Sequence, residues 1–188
     1  KLGIDILLGA PCDAVMTPEQ MQFLPDNLMK SLDSSRNMVV SSRDLYAIEH
    51  NKSGSLFTPL VCFFILLVVM TGLSFVRASF WKTVLQGLDG LLFFLSSVLG
   101  IVLILMWTAT DHAMCRNNFN LLWALPTHTL MAFLLNSTKK WVKQYFRFTG
   151  IAMALLLLAW FFLPQQMNNA LLPVVVLLMY RSLKIGMR

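Results

Sequence analysis

Charged residues are scarce in this chain of 188 residues, because Asp, Glu, Lys and Arg together make up only 13% of it. Soluble domains carry roughly a quarter. Hydrophobic residues make up 57% of the sequence, and the mean hydropathy is +0.67. This balance excludes an ordinary soluble domain and favours a protein embedded in a membrane.

Signatures of cofactor and metal chemistry are also missing. The sequence contains no glycine-rich nucleotide loop, no zinc-ligand spacing and no serine-nucleophile elbow. Its three cysteines, Cys12, Cys62 and Cys115, are widely separated. We therefore expect neither a cofactor nor a metal site.

Long apolar runs are what the sequence does contain. Residues 57–76 and 90–107 carry no charge, and about 18–20 apolar residues are enough to cross a bilayer as a helix. We predict an all-α membrane bundle of about five transmembrane helices over residues 57–188, preceded by a small α+β stub of an exported domain. The predicted spans are residues 57–76, 87–107, 121–135, 148–163 and 169–183.

The third and fifth predicted spans are the least regular. The third is short and contains Pro126 and His128, and the fifth is strongly apolar only after Pro173. Either could be re-entrant rather than crossing. Removing both would place the basic loop at 136–147 outside, against the tendency of basic loops to be cytoplasmic, so we retain five spans.

Lys and Arg residues fall in alternate loops. The loops predicted at 77–86 and 136–147 and the carboxyl-terminal tail carry nine, whereas the loops at 108–120 and 164–169 carry only Arg116. The positive side is cytoplasmic, so we predict that residues 1–56 lie outside and the carboxyl end inside. Because the basic residues adjoin spans, the high pI of about 9.5 does not indicate a nucleic-acid partner.

Residues 1–50 are predicted to be the end of the exported domain, and residues 51–56 a polar linker. The letters TPEQ at 17–20 fit a capped helix start, and a second helix should run from Pro25 to about residue 35. Residues 2–8 and 38–48 are predicted to be extended. The sequence begins at Lys1 and shows no signal peptide, so we expect a carboxyl-terminal part of a longer protein.

The stretch TDHAMCRNNFNLLWALP, residues 110–126, is the richest in polar groups near the spans. A titratable pair at a membrane surface suits lipid-headgroup binding or proton transfer. The alternative is an interfacial loop whose polar groups cap two helix ends, with its tryptophan as an aromatic anchor. The candidate functional residues are Asp111, His112, Arg116, Asn118, Asn120 and Trp123.

A few polar or small residues lie inside the predicted spans. Asp89 needs a partner there, and we expect Lys82. Ser96 and Gly100 have the spacing of a helix-packing contact, and His128 is expected to hydrogen-bond across helices.

The cysteines allow two further interpretations. A disulfide between Cys12 and Cys115 would join two segments on the same outer side, although sequence does not fix their distance. Cys115 with His112 is the only local pair that could form a nucleophile and its base.

Three separated motifs resemble the Lnb family of Bacteroidota membrane proteins, the domain-of-unknown-function 4105 group, which is similar to the lipoprotein N-acyltransferases. They are LGIDILLGAPCD, MTPEQMQFLPDNLMKSL and the loop TDHAMCRNNFNLLWALP. The family couples an exported papain-like, NlpC-related domain to a carboxyl-terminal membrane bundle. The resemblance covers essentially the whole chain, and Asp111, His112, Asn118 and Asn120 match the motif of the membrane part.

The resemblance implies transfer of a fatty acyl chain from a phospholipid to the amino-terminal cysteine of a lipoprotein, at a bacterial inner membrane. A Cys nucleophile and a His would form the acyl-enzyme, and both are expected upstream of Lys1. Phospholipid, lipoprotein and membrane are the implied partners. The alternative is a noncatalytic anchor or partner-binding bundle. A transporter fits less well, because paired charges within the spans are not evident from the sequence.

Overall fold

The computed structural model describes residues 2–17 and 57–188, which are mostly helical and contain no β-strand. Residues 1–13 and 56–188 form one compact unit, and residues 14–55 a second. The predicted helices after Thr17 and Pro25, the extended segment at 38–48 and the linker at 51–56 lie outside the described residues. The described helices are α1 (Leu2–Leu7), α2 (Pro59–Leu73), α3 (Ser79–Thr108), α4 (His128–Phe133), α5 (Lys140–Ala159) and α6 (Leu172–Gly186).

Three helical stretches are long and apolar enough to cross a membrane: Ser79–Thr108, Lys140–Phe162 and Asn169–Gly186. The last two include short 3-10 turns that continue α5 and precede α6. A fourth, α2, is apolar but has 15 residues, a length of about 22 Å. A multi-pass membrane protein is therefore confirmed, and the count of five crossings stays a prediction.

The third predicted span, residues 121–135, does not form a continuous helix. It contains the end of a 3-10 turn at Phe119–Leu122 and the six-residue helix α4. Six residues rise about 9 Å, against about 30 Å of hydrocarbon. Proline has no N–H to donate and restricts the residue before it, so Pro126 separates the two pieces.

Two helices begin earlier than the sequence suggested. α3 starts at Ser79 and α5 at Lys140, within the loops predicted at 77–86 and 136–147. Charged side chains such as Lys82 and Lys143 therefore lie on helices. An uncharged apolar run identifies only the part of a helix that lies in the membrane. The ends of the same helix carry charged residues and therefore look like loops in the sequence.

The first segment is also helical, and the prediction that residues 2–8 are extended is wrong. Leu2, Ile6 and Leu7 pack against the main core. Leu2 and Ile6 are four residues apart, the spacing that places two side chains on one helix face. Its sequence, LGIDIL, is too short for apolar spacing alone to distinguish helix from strand.

Small residues bring the helices close together. A Cβ at Gly100 would overlap the carbonyl oxygen of Ala124, and one at Gly150 would lie 2.7 Å from the Leu183 side chain. Gly100 therefore packs closely, but against the non-helical segment at Ala124 rather than against another helix as predicted. Close backbone approach at glycine is typical of membrane helices, where dispersion contacts drive association.

Large apolar side chains cover much of the outer surface. Phe133, Phe148, Leu158 and Phe161 are each more than 70% exposed. Soluble monomers rarely expose such extensive apolar patches, whereas acyl chains solvate them well. The core instead centres on Phe93, Phe146, Met153, Val175 and Leu178.

Candidate functional site

The loop after α3 is shaped by short turns. The Thr110 hydroxyl donates to Met106 O at 2.6 Å, and a 3-10 turn follows at Ala113–Cys115. Asn117 has a φ of 50°, a left-handed conformation that asparagine adopts more readily than most residues. The chain then enters the 3-10 turn at Phe119–Leu122, which begins after Asn118.

The two asparagines beside this turn bind the end of α1. Asn118 Nδ2 donates to Ile6 O at 2.8 Å and to Leu7 O at 3.1 Å, and Asn120 Nδ2 donates to Ile6 O at 3.1 Å. Asn118 and Asn120 are 3% and 1% exposed. The last carbonyls of a helix lack partners within the helix, and these amides supply them.

Gln165 completes the set from the segment between α5 and α6. Its Nε2 donates to Leu8 O at 2.9 Å, and its Oε1 accepts from Phe119 N at 2.6 Å. The side chain is 2% exposed. We call Asn118, Asn120 and Gln165 the amide clamp, because together they bind three successive carbonyls at the carboxyl end of α1.

Two carboxylates and the backbone extend the contact beyond the amide clamp. Asp5 accepts from Asn168 Nδ2 at 2.6 Å, and Asp13 accepts from Gln166 N at 2.7 Å. Gly9 N donates to Met114 O at 2.8 Å. Residues 5–13 are thus fixed to the membrane part through both main chain and side chains.

Gly9 lies where no side chain fits. A Cβ there would overlap the Arg116 carbonyl oxygen and lie 2.9 Å from its carbon. Glycine is the residue that lets two backbones approach this closely. The glycine in the first motif therefore has a steric role in joining that motif to the third.

The six candidate residues divide into a buried and an exposed group. Asn118, Asn120 and Trp123 are buried together, with Trp123 Nε1 donating to Asn120 Oδ1 at 3.0 Å. Trp123 is 3% exposed, and its indole supports the amide clamp through Asn120. That Trp123 holds the loop at headgroup depth stays a prediction.

Asp111, His112 and Arg116 form the exposed group. His112 Nδ1 lies 2.9 Å from Thr110 Oγ1, and within the described residues no ion pair joins His112 to Asp111. Neighbouring residues project in different directions. These three side chains remain open to solvent or lipid headgroups.

The cysteines are free and none is set up as a nucleophile. Cys12 is exposed and its thiol lies 3.6 Å from Met114 O, while Cys115 is buried. Partial burial, together with the nearby Asp13 carboxylate, raises the pKa of Cys12, which reduces its reactive thiolate. Cys115 N donates to His112 O at 2.9 Å, so the contact between these two residues is made by main-chain atoms and not by the thiol and the ring.

A buried ion pair lies far along the bundle from the amide clamp, and sequence reasoning missed its partner. Arg181 donates to both oxygens of Asp89, at 2.6 and 2.5 Å, and its third nitrogen donates to the Ser74 hydroxyl. Asp89 does not pair with Lys82. The signal was present, since a carboxylate inside a span calls for a basic residue inside another.

This pair removes one argument against transport, because the spans do contain paired charges. Arg181 is 0% and Asp89 1% exposed, and each of the three guanidinium nitrogens donates one hydrogen bond. The pair joins α3 to α6.

His128 confirms its predicted bond across helices. Its Nδ1 lies 2.7 Å from the hydroxyl of Tyr145, which lies 2.7 Å from Thr127 Oγ1. His128 Nε2 is buried without a partner. In the described residues, no group of three or more His, Cys, Asp or Glu side chains could hold a metal ion.

Comparison with known proteins yields one match. The sequence model of the Lnb transmembrane domain matches residues 50–187, which is most of the chain. Neither a curated protein nor a solved structure matches it. The match covers the described helices from α2 to α6 together with all three residues of the amide clamp. The chain belongs to the Lnb transmembrane domain family.

Proposed function

We propose that this chain is the membrane part of an enzyme that transfers a fatty acyl chain from a phospholipid to the amino-terminal cysteine of a lipoprotein. The site of action is the bacterial inner membrane, with residues 1–50 as the end of the exported domain and the carboxyl end in the cytoplasm. The nucleophilic Cys and its His come from residues upstream. Family membership and the three sequence motifs support this assignment.

The single observation that carries the proposal is the match to the Lnb transmembrane domain, and the amide clamp is the structural feature that fits it. Acyl transfer from a membrane lipid requires the reacting groups to meet at a fixed depth, and positioning of this kind contributes much of catalysis. Residues 5–13 belong to the first motif; their carbonyls are held by the buried amides of the membrane part and their carboxylates by Asn168 and by the main chain of Gln166. The amide clamp would therefore fix this part of the first motif to the membrane part.

The exposed group has a separate role in this proposal. A phospholipid donor presents an anionic phosphate at the interface, where the Arg116 guanidinium can donate charge-assisted hydrogen bonds and the His112 ring can add a further donor. Both side chains are exposed beside the amide clamp.

A noncatalytic anchor is the second candidate, and one feature favours it. The amide clamp binds main-chain carbonyls of residues 6–8, a mode of binding that carries little information about chemistry. The same contacts would hold an exported domain of any activity, including one that acts on cell-wall peptides.

Reconstituted transfer separates the two candidates. The intact protein is placed in phospholipid vesicles with a diacylated lipoprotein whose amino group is free, and the triacylated product is measured by mass spectrometry. The enzyme assignment predicts product, with lower activity per folded molecule in His112→Ala and Arg116→Ala. Leu122→Ala, an exposed apolar change in the same loop, serves as the matched control. A folded protein that gives no product would support the anchor.

A further inference from the structure

A lateral apolar groove runs between α2 and α3. Its walls include Phe63, Leu66 and Met70 from α2 and Leu88, Leu92 and Leu99 from α3. The volume is about 280 Å³, near the lower end of the roughly 300–1,000 Å³ seen for ligand sites. That size and elongated lining suit one flexible chain better than a ring system.

The chemistry of the lining selects an apolar occupant. Ser96 is the one residue with a polar side chain besides Trp123, and its hydroxyl already donates to Phe93 O at 2.9 Å. The indole nitrogen of Trp123 is likewise used by Asn120. A polar ligand would lose its hydrogen bonds to water and gain none.

The surroundings identify the source of that occupant. The wall formed by α3 is a predicted membrane span, and exposed side chains such as Leu91 and Leu95 lie at the groove. From Leu88 to Leu99 the helix rises about 16 Å, half of the hydrocarbon thickness of about 30 Å. One acyl chain of a phospholipid reaches that depth.

The groove is continuous with the amide clamp. Ile6 and Trp123 line it, and both belong to the contact between α1 and the loop, because Ile6 O accepts from Asn118 and Asn120 while Trp123 donates to Asn120. A chain lying in the groove would therefore have one end beneath the segment that the exported domain is joined to.

We propose that this groove binds one acyl chain of a phospholipid, with the end nearest the glycerol beneath the amide clamp. The identification of that lipid as the acyl donor rests on the proposed function, whereas occupancy of the groove does not. Phe63 and Leu99 line the groove and are half-buried, so a chain lying in the groove contacts both, from α2 and from α3.

Photocrosslinking tests occupancy in the unmodified intact protein. Vesicles of phosphatidylethanolamine and phosphatidylglycerol carry a small fraction of phosphatidylethanolamine with a diazirine on one acyl chain. Irradiation and peptide mapping should give adducts on the half-buried Phe63 and Leu99 as well as on exposed positions such as Phe64. Adducts confined to exposed side chains would overturn the proposal.

A filled groove supplies the second arm. Ser96→Phe should remove the adducts at Phe63 and Leu99, whereas Thr71→Phe, in a separate apolar groove with Val176 and Met179, should retain them. Retention of both adducts in folded Ser96→Phe would contradict the assignment. If the adducts form but the protein transfers no acyl chain, the groove stands and the enzyme assignment fails. If the protein transfers an acyl chain but no adducts form at these positions, the enzyme assignment stands and the groove assignment fails.

Discussion

Removing the carboxylate of Asp89 should destabilise the bundle strongly. In Asp89→Leu the guanidinium of Arg181 keeps only the Ser74 hydroxyl as a partner, at a site where Arg181 is 0% exposed. The charge can neither reach water nor find another carboxylate, because Asp89 is its one ion-pair partner among the described residues.

The magnitude follows from this burial. Breaking a buried pair by removing one partner costs about 3–5 kcal/mol. For a chain of this size, 1 kcal/mol shifts the melting temperature by roughly 2–4 °C, so the loss should be on the order of 10 °C. Replacing both members by apolar residues of similar volume is often neutral or stabilising. The double variant Asp89→Leu with Arg181→Met should therefore recover most of the loss.

Thermal unfolding in detergent micelles measures these effects, with Asp111→Leu as the control, since Asp111 is exposed. We expect no change in Asp111→Leu, a large decrease in Asp89→Leu and near recovery in the double variant. A melting temperature for Asp89→Leu equal to that of the wild type would refute the reasoning. So would a double variant less stable than Asp89→Leu.

Four shorter predictions follow from other parts of the structure. Gly9→Ala should weaken the attachment of α1, because the alanine Cβ would overlap Arg116 O. The variant should melt at a lower temperature than the wild type, and an equal melting temperature would contradict the steric role of Gly9. Alkylation of Cys12 in a Cys62→Ser background should require a higher pH than alkylation of a free thiol, because the pKa of Cys12 is raised. Asp13→Asn should shift the pH profile of alkylation part of the way back. A midpoint of that profile at or below the value for a free thiol would contradict the prediction. In a background without other accessible cysteines, Gln166→Cys should react with an impermeant thiol reagent from the outside of spheroplasts and Gln144→Cys should not, and the opposite result would reverse the orientation. Residues 1–188, purified alone, should not acylate a lipoprotein, because the proposed nucleophile lies upstream. Acyl transfer by this fragment that is abolished by Cys115→Ala would place the catalytic centre within it and contradict the proposal.

The helical membrane class could be predicted because it depends on composition and run length. Residues 90–107 carry no charge and are mostly apolar, and α3 contains all of them. The third span could not be predicted in the same way. Residues 121–135 are also mostly apolar, but Pro126 and the close approach of Ala124 to Gly100 break that segment into short pieces. Hydropathy does not register either effect.

The amide clamp was only half accessible from the sequence. The stretch at 110–126 identified Asn118 and Asn120, because amides crowded beside a span indicate a site. Gln165 carried no comparable signal, since it lies in a short connection between helices. The segment that the amides bind was harder to predict. The amides bind the carbonyls of Ile6, Leu7 and Leu8, and main-chain acceptors are the same in every sequence.

The amide clamp can be tested most directly by hydrogen exchange of residues 2–13. In the wild type, the amides of Leu8, Gly9 and Cys12 donate within this segment or to Met114 and should exchange slowly. Asn118→Ala removes two hydrogen bonds to the carbonyls of Ile6 and Leu7 at the end of α1. Leaving buried carbonyls unsatisfied should cost about 1–3 kcal/mol of stability in this contact. The matched control is Asn117→Gly, which removes an exposed asparagine at a φ of 50° that glycine tolerates.

We predict faster exchange across residues 2–13 in Asn118→Ala, with α3 and α5 unchanged and Asn117→Gly like the wild type. Equal exchange of residues 2–13 in Asn118→Ala and the wild type would contradict the account.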